Sequence, residues 1–144
     1  MERTPLFILD ASVAVKWFVN EPERDKALGV REDYVHGRIK LLAPALILYE
    51  VGNALRFHPN GTEEIGARVV KSLRKLQLTT DSLQDQTIET AMRISYVEGI
   101  TFYDAVYLAL AENDECKVIT ADQQLVEGLK RYGSLALLLS DYSV

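Results

Sequence analysis

The 144-residue sequence has one cysteine, Cys116, so no intrachain disulfide forms and a zinc site built on several thiolates is excluded. Its two histidines, His36 and His58, lack the spacing of metal ligands. No apolar run reaches the roughly 20 residues that span a bilayer, and no signal-peptide pattern is present, which predicts a soluble cytoplasmic protein with no membrane partner. A basic excess is missing too. Sixteen Lys+Arg against 21 Asp+Glu leave a net charge of −5, which at first argues against nucleic acid as a partner. Internal repeats, linkers and low-complexity segments are absent. A hydrophobic share of 48% and a charged share of 26% then predict one globular domain over residues 1–144.

Short apolar runs alternate with helical periods. Residues 6–9 (LFIL) read as a strand buried on both faces, leading through Asp10-Ala11-Ser12 into a helix over 13–18. A second helix runs to about His36, with Gly37 as its cap, and a strand covers 41–43. Helices follow over 45–57 and 62–76, divided by His58-Pro59-Asn60-Gly61, and a weaker strand over 77–80. Helices over 83–97 and 102–113, a strand at 118–120, a helix over 123–132 and a last strand at 135–139 complete the chain. Such alternation predicts an α/β protein with a central, mostly parallel sheet covered on both sides.

Four acids stand where their neighbours predict burial. Asp10 is the only charge between Pro5 and Val15, Glu50 between Leu41 and Leu55, Asp104 between Gly99 and Ala111, and Asp122 between Val118 and Val126. A carboxylate in apolar surroundings needs a cation or good hydrogen bonds. A helix cap would explain Asp122 and, less well, Asp10; Glu50 and Asp104 fall inside helical segments. Asp10 and Asp122 directly follow strands, and the carboxyl ends of parallel strands are where open sheets bind ligands. If the four converge, each like-charge pair at about 4 Å costs on the order of 4 kcal/mol at an effective dielectric near 20. Protonation or bound cations must offset that cost. Without clustered Cys or His, the matching ion is hard and oxygen-loving, Mg²⁺ or Mn²⁺, and the favoured chemistry is phosphodiester hydrolysis.

Ser12 and Thr120 are candidates to bond a ligand water or carboxylate, and Asn53, one helical turn after Glu50, to orient it. Arg56, Arg68, Lys71, Arg74 and Lys75 are candidate phosphate contacts, against an ordinary solvated helix face. Tyr49, Tyr103 and Tyr107 are candidate base-stacking groups, with packing expected for at least two of them. Trp17-Phe18 reads as core or an interface anchor, Asn60-Gly61-Thr62 as a turn and cap, and Cys116 as non-catalytic. With the four isolated acids set aside, 17 acids face 16 bases, and residues 56–76 hold five bases against two acids. The charge distribution therefore favours a phosphate-binding surface that the total conceals.

Four segments together resemble the motifs of PIN-domain ribonucleases, most closely the VapC-type toxins of toxin–antitoxin pairs. They are Ile8-Leu9-Asp10-Ala11-Ser12-Val13; Pro44-Ala45-Leu46 through Glu50-Val51-Gly52-Asn53-Ala54-Leu55; Tyr103-Asp104-Ala105-Val106-Tyr107-Leu108-Ala109-Leu110-Ala111; and Ile119-Thr120-Ala121-Asp122-Gln123-Gln124-Leu125. The resemblance covers essentially the whole chain. It implies a three-layer α/β/α sandwich, Mg²⁺- or Mn²⁺-dependent RNA cleavage, a homodimer and a small antitoxin protein as partner. Carried over by position, the family's acidic ligands fall on Asp10, Glu50, Asp104 and Asp122. A stand-alone RNA-processing nuclease and an inactive PIN-like binding module remain alternatives. A phosphorylation-responsive receiver domain would need an adjacent acidic pair after the first strand and a lysine after the last, and neither is present.

Overall fold

The computed structural model describes residues 3–79 and 83–143. Strands β1 (Leu6–Leu9), β2 (Lys40–Leu42), β3 (Lys117–Thr120) and β4 (Ala136–Leu138) form a parallel sheet in the order β2-β1-β3-β4. Helices α1 (Ala11–Ala14), α2 (Arg24–Val35), α3 (Leu46–Arg56), α4 (Glu63–Lys75), α5 (Asp85–Glu98), α6 (Phe102–Asn113) and α7 (Gln123–Gly128) flank it. This is the expected α/β sandwich. Ile8, Leu9, Val118 and Ile119 are buried at the sheet centre, as uninterrupted apolar strands require.

The helices carry local reasons for their limits. Thr62 caps α4, its Oγ1 accepting the Ile65 N–H at 3.1 Å, and Thr101 caps α6 through the Asp104 N–H at 3.1 Å. In the turn between α3 and α4, a Cβ on Gly61 would lie 2.0 Å from the Leu55 carbonyl oxygen, so this position accepts only glycine. Trp17 belongs to the core, its Nε1–H donating to the Ala27 carbonyl at 2.8 Å.

Several expected boundaries shift. The helix anticipated over 13–18 begins earlier, at Ala11, and tightens into a 3₁₀ turn over Val15–Trp17. Of the strand expected over 77–80, Thr79 makes a single parallel bridge to Ala43, and Thr80 lies outside the described residues. The helix expected to reach 132 stops at Gly128. Glu98 at the end of α5 is responsible, because its carboxylate accepts the backbone N–H groups of Lys130, Arg131 and Tyr132 at 2.7–2.8 Å. Those amides are thereby taken from any helical carbonyl.

The sheet order has a functional consequence. From β1 the chain moves to one side, to β2, and later crosses to β3 and β4 on the other. The reversal lies between β1 and β3, and the crevice at their carboxyl ends is where Asp10 and Asp122 emerge.

Candidate active site

Asp10 extends the β1–β3 pairing by one residue, its backbone N–H donating to the Ile119 carbonyl at 3.1 Å. That register sets it beside Thr120. Oδ2 of Asp10 accepts the Ser12 hydroxyl, the Ser12 N–H at 3.2 Å and the Thr120 hydroxyl at 3.1 Å. Both hydroxyls are themselves held: Ser12 Oγ accepts the Ala121 N–H at 2.9 Å, and Thr120 Oγ1 accepts the Asp122 N–H at 3.1 Å. Among the described residues Oδ1 receives no hydrogen bond. Ser12 and Thr120 thus fix one carboxylate oxygen and leave the other without a donor.

Glu50 projects from α3 and is partly buried, with Oε1 accepting the Tyr107 hydroxyl at 2.6 Å. Asp104 lies in the first turn of α6, and Tyr107 follows it by three residues, so α6 supplies both an acid and the group that grips Glu50. Asp122 is exposed, contrary to the burial its neighbours predict, because it sits at the strand-to-helix turn and caps α7 through the Leu125 N–H at 2.9 Å. Asp10 likewise caps α1. Helix starts therefore account for where three of the acids stand; Glu50 has no such duty.

The electrostatics are not explained by capping. Burial raises the pKa of Asp10 despite its hydrogen bonds from Ser12 and Thr120, and the charge of Asp104 adds to the rise. Burial likewise raises Glu50, with further contributions from Asp10 and Asp104 and opposition from the Tyr107 hydroxyl. Asp104 is raised by burial and then by Asp122. Tyr107 is pushed upward by burial and by the Asp10 charge, which keeps its hydroxyl a donor. Among the described residues no Lys, Arg or His pairs with any of the four acids. Asp104 acts as a like charge on Asp10 and Glu50, Asp10 acts on Glu50, and Asp122 acts on Asp104, with no paired cation to offset them among the described residues.

The oxygen-only donor set fits a hard divalent cation in chemistry. Among the described residues, however, no three acidic, histidine or cysteine side chains are gathered into a ready metal-holding group. Asn53 is exposed and its side chain does not bond Glu50. Arg56, Arg68, Lys71, Arg74 and Lys75 are all exposed on α3 and α4, and none appears among the charges acting on the acids. Arg56 instead lies over the Phe57 ring, 4.9 Å from its centre. Packing accounts for Tyr107 alone of the three tyrosines, since Tyr49 and Tyr103 are 76% and 62% exposed. Cys116 is raised to about 11 by burial, an unreactive thiol. Sequence reasoning missed the hydroxyl role of Tyr107, although its spacing from Asp104 was the signal for a shared helix face.

Known proteins agree with this architecture. Ribonuclease VapC3 of Pyrobaculum aerophilum is 30% identical over 125 residues, covering 83% of this chain and 92% of its own. Exonuclease VapC9 of the same organism is 29% identical over 99 residues, 69% of this chain and 74% of that one. Among solved structures, P. aerophilum PAE2754 superposes with a TM-score of 0.65 at 25% identity, covering 95% of this chain and 91% of that chain. VapBC2 from Rickettsia felis, bound to a promoter DNA fragment, shares the fold at a TM-score of 0.64 and 10% identity, covering 92% and 98%. The family model for the PIN domain matches residues 7–130, which include all four acids and every strand but the last, and on that match the chain belongs to the PIN-domain family.

Proposed function

We propose that this chain is a divalent-metal-dependent endoribonuclease that hydrolyses RNA phosphodiester bonds at Asp10, Glu50, Asp104 and Asp122. The observation that carries the reading is that Asp10 and Asp122 leave β1 and β3 at the carboxyl edge of the sheet, with Asp104 and Glu50 near enough for their like charges to act on one another, and among the described residues no cationic side chain pairs with any of the four. Mg²⁺ or Mn²⁺ would be held by these acids, and such an ion supplies a water of lowered pKa and compensation for charge developing on the phosphate. The chain's own part is positional. Ser12 and Thr120 hold Asp10, Tyr107 holds Glu50, and the α6 cap holds the turn that carries Asp104. Arg56 and the bases of α4 would contact RNA phosphates further from the cut.

The names of the relatives support nuclease chemistry, one naming an exonuclease and the other a ribonuclease, so an end-directed cut is the alternative to internal cleavage. A circular single-stranded RNA separates the two, since only internal cleavage opens it. Wild type with Mn²⁺ is expected to open the circle; EDTA, Asp10→Asn and Asp104→Asn are each expected to abolish opening. Undiminished cleavage by both variants overturns the site.

The structural neighbour from R. felis is a VapBC complex. By analogy the partner here is a small antitoxin protein, this chain is the toxin, and it works as a homodimer in the cytoplasm; growth arrest on expression, relieved by the product of an adjacent short reading frame, tests the pairing. A stand-alone nuclease would give cleavage without such relief. The lack of a preformed three-acid group among the described residues favours one further reading, an inactive binding module. RNA binding without any metal-dependent cleavage identifies it.

A further inference from the structure

Beside the acids lies a cavity of about 350 Å³ between the amino-terminal ends of α3, α5 and α6, within the size range of small-molecule sites. Leu46, Tyr49, Leu83, Thr87, Phe102 and Tyr103 are among its lining residues, none of which carries a charge. Tyr49 and Tyr103 line it and are 76% and 62% exposed, so both side chains are open to a ligand. Each also immediately precedes an acid of the site, Tyr49 before Glu50 and Tyr103 before Asp104. No acid lines the cavity, but Glu50 and Asp104 stand one residue further along the same two helices, so the carboxylates lie close to its rim.

We propose that this cavity is a nucleobase site, in which the base next to the scissile phosphate of a single-stranded RNA leaves its stack and packs against Tyr49 and Tyr103. The inference rests on the nuclease reading and narrows its substrate to unpaired RNA. An uncharged lining excludes the phosphate and the metal as occupants, whereas a base presents a neutral, flat, polarisable face to aromatic rings. With the base so placed, the phosphate of the same nucleotide stays near Glu50 and Asp104, one residue beyond Tyr49 and Tyr103 on α3 and α6. A second copy of this chain is the competing occupant of any exposed aromatic surface, and the experiment separates the two.

Binding is read by fluorescence anisotropy in EDTA, with a labelled RNA octamer of adenosines and a ribose-phosphate octamer lacking bases. Wild type is expected to prefer the base-bearing octamer. Tyr49→Ala combined with Tyr103→Ala should weaken its binding about 5- to 150-fold, the range for loss of base stacking, and leave the abasic octamer unaffected. Tyr49→Phe with Tyr103→Phe should restore affinity to within about twofold, because the ring and not the hydroxyl is used. Unchanged affinity in the alanine protein, equal loss for both octamers, or an octamer that wild type does not bind overturns the proposal. So does unchanged affinity with a fall from dimer to monomer in sedimentation, which assigns the surface to a second copy. Failure of the nuclease reading is distinct, showing as absent cleavage in Mn²⁺ whatever the octamers do.

Discussion

The hydroxyl of Tyr107 donates to Glu50 Oε1 at 2.6 Å, joining α6 to α3 through a side chain that is 2% exposed. This is a charge-assisted bond in a partly desolvated setting, of the kind that contributes about 1.5–3 kcal/mol. Tyr107→Phe keeps the packing and removes only the donor. The expected result is roughly a tenfold loss in kcat/KM for RNA, as a positioned carboxylate loses its orientation. Circular dichroism and gel filtration should be unchanged, and full activity in the phenylalanine protein would show that Glu50 needs no such support.

Asp10 makes a prediction about stability against pH. Its pKa is raised in the folded chain, chiefly by burial, above the ordinary carboxyl value of 3.8. Between those two values the folded state binds more protons, so stability falls as pH rises through the raised value and the penalty is complete above it. Asn at this position carries no charge and caps a helix as well as Asp does. Without divalent ions, Asp10→Asn should melt above wild type at neutral pH, and the difference should close as pH falls below about 3.8. A variant that melts lower at neutral pH contradicts the account.

Divalent ions should act in the opposite sense on the wild type. An ion that binds only the folded chain adds about 2.7 kcal/mol when its concentration is about 100 times the dissociation constant. Calorimetric melting with Mn²⁺ should show a rise in Tm for wild type and a much smaller one for Asp10→Asn and Asp104→Asn. Equal rises in all three proteins would place the ion elsewhere.

Glu98 tests the other end of the molecule. Burial tends to raise its pKa, but the three backbone N–H groups of residues 130–132 and the Lys130 charge outweigh it and lower the value below 4.5. Its stabilisation is therefore present above about 4.5 and lost as pH falls through the lowered value. Glu98→Ala should cost about 1 kcal/mol near neutral pH, since water reaches the freed amides, with that gap narrowing in acid. Limited proteolysis should find the segment around Lys130 first; if the segment stays protected, the carboxylate is not what holds it.

Much of the molecule was legible because it depends on local chemistry. Apolar runs at 6–9 and 118–120, the Thr62 cap and the isolated charges at Asp10, Glu50 and Asp104 need only their neighbours to be read. Asp122 was the misjudged acid, since a cap at a strand-to-helix turn is exposed however apolar its neighbours are. Helical spacing proposed Asn53 as the group orienting Glu50, and the structure assigns that role to Tyr107 from another helix.

By itself, the sequence determined the α/β class, the order of the elements and the residue types available for chemistry, because periodicity and capping act within a few positions of the chain. Tertiary structure alone decided which groups meet. Asp10 lies beside Thr120 because β1 and β3 pair with Leu9 opposite Ile119, and Tyr107 reaches Glu50 because α6 and α3 converge beyond the same sheet edge. Such meetings depend on strand register and helix packing between segments far apart in the chain. No local pattern encodes them.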